Sequence, residues 1–485
     1  MHFQPTVKSL KKHEVPQWYH DAKLGIFITW GPYAVPAYAP TDLGDISEII
    51  YKYGYKTYLK NNPYAEWYVN TMKIEGSPTQ NYHRDTYGEN ASYDQFATEF
   101  NESIKQWDPG WWATLFQQIH ARYIVLTANH MDGFLLWPSK YPNPKKANWN
   151  ATRNVVGELA EAVRSKGIKL GIYHLCVMDD TWNPYIMQAA SDAFAHVPTD
   201  PAFSEYIDHH YYEIIDQWKP DILWNDIGYP PYGKLYEIIA HYYNTVENGL
   251  INDRWLVFSN RLLWLMKKFS LARKLAEWAQ RRAFKKGGAG NPFPVLYDYR
   301  TLEYVIPPKI LKEKWECCRG IGRSFGYNQM ETDAHCLSVP ELIHLFVDIV
   351  SKNGNLLLNI GPKPDGTIPD LQMKRLLGLG KWLDINSEAL FDTRPWKTFG
   401  GLTAEGINLR YTQTQDALYV IILHKLEKNS ITIDHLNVTD NATITMLGDA
   451  APLKTKKEGP SLTIWVPDIL EDPPAIALKI TPKPN

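Results

Sequence analysis

The chain has 485 residues, more than one compact unit usually holds, so one large and one smaller domain are expected. A hydrophobic share of 44% with 21% charged residues is ordinary for a soluble globular protein, and a net charge of −2 excludes a molecule-wide electrostatic footprint for nucleic acid. The four cysteines, Cys176, Cys317, Cys318 and Cys336, show no C-x-x-C spacing, which argues against a zinc ribbon or disulfide scaffold and for reduced structural thiols. Met1 to Val15 is polar and basic, and nowhere do 18 apolar residues run together. Neither a secretory leader nor a membrane partner is therefore expected, and a cytoplasmic protein follows, with the sequons at Asn150 and Asn437 read as chance matches.

Leu24 to Thr29 reads as a strand, closed by Trp30-Gly31-Pro32 and a loop crowded with aromatic residues and proline. Asn62-Pro63-Tyr64-Ala65-Glu66-Trp67-Tyr68 sets one carboxylate among aromatics. Pro109 begins a helix reaching about Ala121, and Tyr123 to Thr127 is the next strand, ending in Asn129-His130-Met131-Asp132-Gly133-Phe134. A helix over Asn154 to Lys166 leads to a strand from Ile168 to Tyr173, which ends at His174. A helix over Tyr206 to Gln217 precedes the apolar run Ile222 to Trp224, and Asn225-Asp226 before Gly228 and Pro230 puts Asp226 at a strand's carboxyl end. There a carboxylate is either a nucleophile or base, as in barrel enzymes, or a cap for the helix expected over Lys234 to Asn244. Further strands are expected over Arg254 to Ser259, Arg319 to Phe325 and Asn355 to Ile360.

Strands of this size alternating with helices predict repeated βα units around a parallel sheet, and their number favours an α/β barrel of the (β/α)8 type over an open sheet. Past Leu390 the runs Ile407 to Thr412, Ala417 to Leu423, Ser430 to Ile433, Ala442 to Met446, Ser461 to Val466 and Ala475 to Ile480 come without helices between them. They predict an all-β sandwich over 391–485 after a catalytic barrel over 1–390, the boundary falling near 385–395. That sandwich is expected to brace the barrel, since its aromatics keep to the alternating pattern. One segment breaks the alternation: Arg261 to Gly287 interleaves basic residues with Leu263, Trp264, Phe269, Leu275, Trp278 and other apolar ones. It reads as a basic helical insertion that could lie on a membrane surface or pack on its own barrel or a second subunit; the rest of the chain shows no membrane signal, so packing on the barrel or a subunit is favoured and a homo-oligomer is expected.

Three carboxylates stand beside aromatic or glycine-rich loops: Asp226, Glu66 and Glu303, the last within Tyr297 to Tyr304. Cleaving a glycosidic bond needs one carboxylate to attack the anomeric carbon and one carboxylic acid to protonate the leaving oxygen, so the groups for that chemistry are present. A metal hydrolase built on His130, His174, Asp226 and His83 is the weaker reading, because no H-x-H or H-E-x-x-H pair accompanies them; no metal or cofactor is expected. No phosphate-cradling glycine motif occurs, and Gly322-Arg323-Ser324-Phe325-Gly326 lacks the setting of a nucleophile elbow.

The chain resembles the family 29 α-L-fucosidases in a series of blocks. These are Trp18-Tyr19 with Lys23 to Ile28 and Trp30-Gly31; Asn62 to Tyr68; Asp132-Gly133-Phe134 with Trp137; Trp224-Asn225-Asp226; Asn252 to Trp255; Gly320 to Asn328; and Ser351 to Pro362. The resemblance implies a retaining exo-acting glycosidase on a (β/α)8-like barrel with a C-terminal β-sandwich, acting on fucosylated glycans or oligosaccharides. It implies Asp226 as nucleophile with Trp224 beside it, Glu303 as acid/base with Glu66 as the second candidate, and Tyr64, Trp67, His130, Arg254 and Phe325 as fucose-contacting positions. Two family histidines are Thr29 and Met131 here, which implies altered hydroxyl recognition, specificity or turnover. A catalytically weak fucose-binding protein and an α-L-galactosidase are the alternatives to hydrolysis of α-L-fucosyl groups.

Overall fold

A computed structural model describes the chain apart from residues 1, 270, 272–273, 276–277, 279–293, 425, 427–428, 468–472 and 485. Eight strands, β1 (Leu24–Ile28), β2 (Tyr123–Asn129), β3 (Lys169–Leu175), β4 (Ile222–Asp226), β5 (Leu250–Ile251), β6 (Arg300–Glu303), β7 (Trp315–Gly320) and β8 (Gly354–Ile360), form one parallel sheet. Their order is β5-β4-β3-β2-β1-β8-β7-β6, which curls the sheet into the expected barrel. Buried on both faces, β1 and β8 can be apolar almost without interruption. Gly25 is required in β1, since a Cβ there would meet the Tyr123 ring at 2.3 Å. Helices enter where side chains take the free amides of the first turn: Asp108 caps Pro109–Gln118, Asn154 caps Val155–Ser165 and Asp200 caps Pro201–Trp218.

Two expected strands are corrected. The segment from Arg254 to Ser259 is not a strand; the barrel strand is the two-residue β5, and Arg254 lies in the loop beyond it. Past Ile251 side chains replace the backbone as partners of the neighbouring strands, with the Asn225 amide donating to Asn252 Oδ1 and the Thr301 amide to Asp253 Oδ1. The strand expected over Arg319 to Phe325 is β7, which ends at Gly320, where pairing with β8 stops. The Arg323 and Ser324 amides then turn to the Glu331 carboxylate.

No backbone ladder joins β5 to β6 among the described residues; carboxylates close this seam instead. Asp298 donates its amide to the Ile251 carbonyl at 3.0 Å and accepts the Ile251 amide on Oδ2 at 2.7 Å. Buried Asp253 accepts Arg300 Nε at 2.8 Å and the Thr301 amide at 3.1 Å.

Antiparallel sheets begin with β9 (Arg394–Leu402) and continue through β10 (Asn408–Gln413), β11 (Leu418–Ile422), β12 (Ser430–Asp434), β13 (Thr443–Met446), β14 (Asp449–Pro452), β15 (Thr455–Glu458), β16 (Ser461–Trp465) and β17 (Ile476–Thr481). Six of them order as β14-β13-β17-β11-β10-β9 and three as β12-β16-β15. Alternation decides their faces: Leu418, Val420 and Ile422 enter the core between the sheets, while Tyr419 and Ile421 join the barrel's core. Trp382 Nε1 donates to the Ala475 carbonyl at 2.8 Å and Arg410 pairs with Asp348, both across this contact. By length and composition alone Asp333–Ser351 could cross a membrane, but its helix Val339–Ser351 buries Leu342, Ile343, Phe346 and Val350 against the barrel.

The basic segment is a helix over Asn260–Lys268, and Leu271, Lys274, Leu275 and Trp278 are helical as well. Residues 279–287 of the expected insertion lie outside the described residues. The Asn260–Lys268 helix touches the short helix Asp192–His196 and buries Leu263, whereas Trp264, Leu265 and Phe269 are exposed.

Candidate active site

β4 delivers Asp226 to the barrel mouth, and the turn after it fixes the carboxylate. Ile227 adopts a left-handed backbone (φ 66°), rare for a β-branched residue, and its amide donates to Asp226 Oδ1 at 2.8 Å. Gly228 follows at φ 145°, where a Cβ would strike Phe258 at 2.4 Å and the Leu256 carbonyl at 2.7 Å. Asn225, fully buried, ties the turn down: its amide nitrogen donates to the Gly228 carbonyl at 2.9 Å and to the Arg254 carbonyl at 3.1 Å. Asp226 is not a helix cap. The helix Leu235–Thr245 starts at Lys234, whose amide donates to Asp208.

Arg254 joins the two carboxylates expected at strand ends. Its Nη1 donates to Asp226 Oδ1 at 2.7 Å and its Nη2 to Glu303 Oε2 at 3.3 Å. Burial opposes the guanidinium charge, yet Asp226, Cys318 and Glu303 around it carry its pKa well above the usual arginine value. Asp226 Oδ2 accepts the Tyr173 hydroxyl at 3.0 Å, and Glu303 Oε1 accepts the Tyr64 hydroxyl at 2.7 Å. All three side chains of the bridge keep a solvent-accessible edge, 14% for Arg254, 16% for Asp226 and 18% for Glu303, so the site opens outward. Tyr304, after Glu303, is also left-handed (φ 56°), so each carboxylate is followed by a sharp backbone reversal.

Glu66 sits deeper. Its Oε2 accepts the Gly326 amide at 2.7 Å, and burial pushes the carboxyl up to about 8 despite that hydrogen bond. His130 is hydrogen-bonded to the Glu66 backbone and lies near enough to Asp226 to feel its charge; burial nevertheless lowers its pKa to about 4. The imidazole is therefore neutral, and its buried Nδ1 has no partner among the described residues. Phe325 closes one wall, edge-on to Tyr64 at 5.1 Å, and Trp67, next to Glu66 in sequence, is half-buried.

Trp224 lies below the Arg254 guanidinium, 5.0 Å from it, and donates its Nε1 to the buried Glu316 carboxylate at 3.2 Å. Tyr19 and Tyr123 donate to the same carboxylate, making a polar floor inside the barrel. Thr29 donates its hydroxyl to Asn359 Oδ1 at 2.6 Å, and Met131 is buried in the core, so neither supplies the free imidazole that a histidine would. Sequence reasoning passed over Tyr173. Tyr173 is an inward-facing hydroxyl two residues before the end of the strand paired with β4, which is the signal that could have found it.

The weaker metal reading is not supported by placement. His83 bonds Tyr68 and the Ala91 carbonyl, and His174 meets His210 at 3.3 Å. Among the described residues no three His, Cys, Asp or Glu side chains are grouped to hold a metal ion. Ser324 spends its hydroxyl on the Gly326 carbonyl and the Ala65 amide, a turn-building role.

A βα barrel whose strand ends present two carboxylates, with an arginine between them and aromatic walls around them, has the layout of a glycoside hydrolase. The model of the alpha-L-fucosidase family matches residues 1–388, and the chain belongs to that family. It is 30% identical to the tissue alpha-L-fucosidase of Homo sapiens over 463 residues, 93% of this chain and 85% of the human one. It is also 30% identical to the alpha-L-fucosidase of Dictyostelium discoideum over 413 residues, 81% of this chain and 75% of that protein. The solved structure of the Thermotoga maritima alpha-fucosidase in complex with a mechanism-based inhibitor superposes with a TM-score of 0.82 at 36% identity, covering 99% of this chain and 100% of that one.

Proposed function

We propose that the chain is a retaining α-L-fucosidase that releases terminal α-L-fucosyl residues through a covalent intermediate on Asp226, with Glu303 as acid/base. The observation that carries this reading is the Arg254 bridge, which holds both carboxylates at one mouth within a single guanidinium span. Asp226, held by Arg254, Tyr173 and the Ile227 amide, attacks C1 as the bond from C1 to the leaving oxygen breaks, while Glu303 gives its proton to that oxygen. Glu303 then takes a proton from water as the water oxygen attacks C1, and Asp226 is released as carboxylate. Double displacement returns the starting anomeric configuration.

His130 Nδ1, buried and unpartnered, suits a sugar hydroxyl, and Phe325 suits the methyl face of a 6-deoxy sugar. Glu66, neutral near pH 7 and committed to Gly326, suits a hydroxyl contact better than proton shuttling. On an aryl α-L-fucoside, Asp226→Ala lowers kcat at least about a thousandfold. Azide restores turnover in Glu303→Ala and not in Glu66→Ala; rescue of the Glu66 variant alone would exchange the two assignments, and wild-type-like activity of Asp226→Ala would end the reading.

A further inference from the structure

The catalytic face of this barrel is apolar in a way the sugar site does not require. Nineteen large apolar side chains are exposed among the described residues, and all but Trp111, Val295, Leu377, Ile385 and Leu402 lie in the loops and helices between a barrel strand and the next helix of the barrel or in the segment after β5. Tyr51, Tyr53, Tyr185 and Tyr232 are among them, and the densest group falls between Arg254 and Glu303. There Trp264 is 56% exposed, Leu271 68%, Leu275 59% and Trp278 58%. Leu271, Lys274, Leu275 and Trp278 are helical and spaced i, i+3, i+4, i+7, so they share one helix face.

Charge gives that face a partner. Residues 261–287 carry nine Lys and Arg against the single acidic Glu277, while the rest of the chain carries 42 basic and 52 acidic residues. Among the segment's described helical residues, Arg261, Lys268 and Lys274 accompany Trp264, Leu271, Leu275 and Trp278, the make-up of an interfacial helix: the apolar side chains enter the headgroup boundary, and Lys and Arg stay at anionic lipid headgroups. A symmetric contact with a second copy would set this basic segment against itself, which repels.

We propose that the ledge bearing Trp264, Lys268, Leu271, Lys274, Leu275 and Trp278 docks the protein on an anionic lipid surface with the barrel mouth turned toward the bilayer. The Asn260–Lys268 helix touches the helix Asp192–His196 that follows β3, and Phe258 just before it packs against Gly228 in the turn after Asp226, so the ledge stands beside the mouth. The substrates favoured by this geometry are fucosyl groups displayed on that surface; this consequence, unlike the docking itself, rests on the fucosidase reading above.

The test is flotation of the full chain with phosphatidylcholine vesicles with and without phosphatidylserine, at low and high salt. The protein floats only with the phosphatidylserine vesicles, and high salt releases it. Lys268→Gln/Lys274→Gln lowers its partitioning about thirtyfold. Trp264→Ser/Leu275→Ser abolishes flotation, and both variants keep wild-type turnover of a soluble aryl fucoside, which shows them folded. Equal binding to neutral vesicles, no binding to either, or unchanged binding of the variants overturns the proposal. So does a dimer in size-exclusion chromatography that the variants dissociate without any vesicle binding. Asp226→Ala still floats, so lack of fucoside turnover in the wild type would sink the enzymatic reading and leave docking standing.

Discussion

Arg254 Nη1 stands 2.7 Å from Asp226 Oδ1, and the other terminal nitrogen of the same guanidinium reaches Glu303. A single rigid fork thus sets the spacing of the two carboxylates, a task that lysine, with one ammonium on a flexible stem, cannot perform. Arg254→Lys is therefore expected to lower kcat/KM on an aryl α-L-fucoside by about a hundredfold or more. A loss below threefold would show that the bridge is incidental.

Tyr173 holds the other oxygen of Asp226 at 3.0 Å. Tyr173→Phe removes one hydrogen bond to a charged group, so kcat falls about tenfold or more while the melting temperature stays within a few degrees. If kcat is unchanged, the Asp226 carboxylate is held by Arg254 and the Ile227 amide alone.

Burial raises the Glu66 carboxyl to about 8, against an unfolded value of about 4. The folded state keeps a proton that the unfolded state has released, so this group's contribution to stability is full below the unfolded pKa and is lost as pH rises through the folded one. Asp179 and Glu331, raised by burial to about 7, act in the same direction. Thermal scans from pH 6 to 9 should show the wild type losing stability, with Glu66→Gln losing less. Parallel slopes would refute a neutral Glu66.

Asp253 is fully buried between Arg300 and the Thr301 amide, at the start of the strand that carries Glu303. Asp253→Ala leaves both partners unpaired in the seam and should cost about 3 kcal/mol of stability together with a drop in kcat. Denaturant unfolding checks the first part; a variant as stable as wild type would show that the ladder elsewhere suffices.

The parallel-strand core was legible because burial on both faces writes itself as short apolar runs, as in Leu24 to Ile28 and Asn355 to Ile360. Where polar side chains do the pairing, pattern fails: β5 is two residues long, and β7 hides behind Glu316 and Arg319. Asp226 could be placed from Gly228 and Pro230 alone, since the turn demands glycine. Tyr173 could not, because a tyrosine in a strand reads as core until the neighbouring strand's register is known. The basic segment's periodicity was visible, but not that its apolar face would lie uncovered.

Because Asp298 and Asp253 stitch β5 to β6, covalent continuity through the long segment between Arg254 and Glu303 is not what aligns the pair. Each foot of that segment is pinned separately to the wall of the barrel. A polypeptide severed between them would still present its arginine and its glutamate in register, so the span is free to change in length and composition without retuning the chemistry at its base.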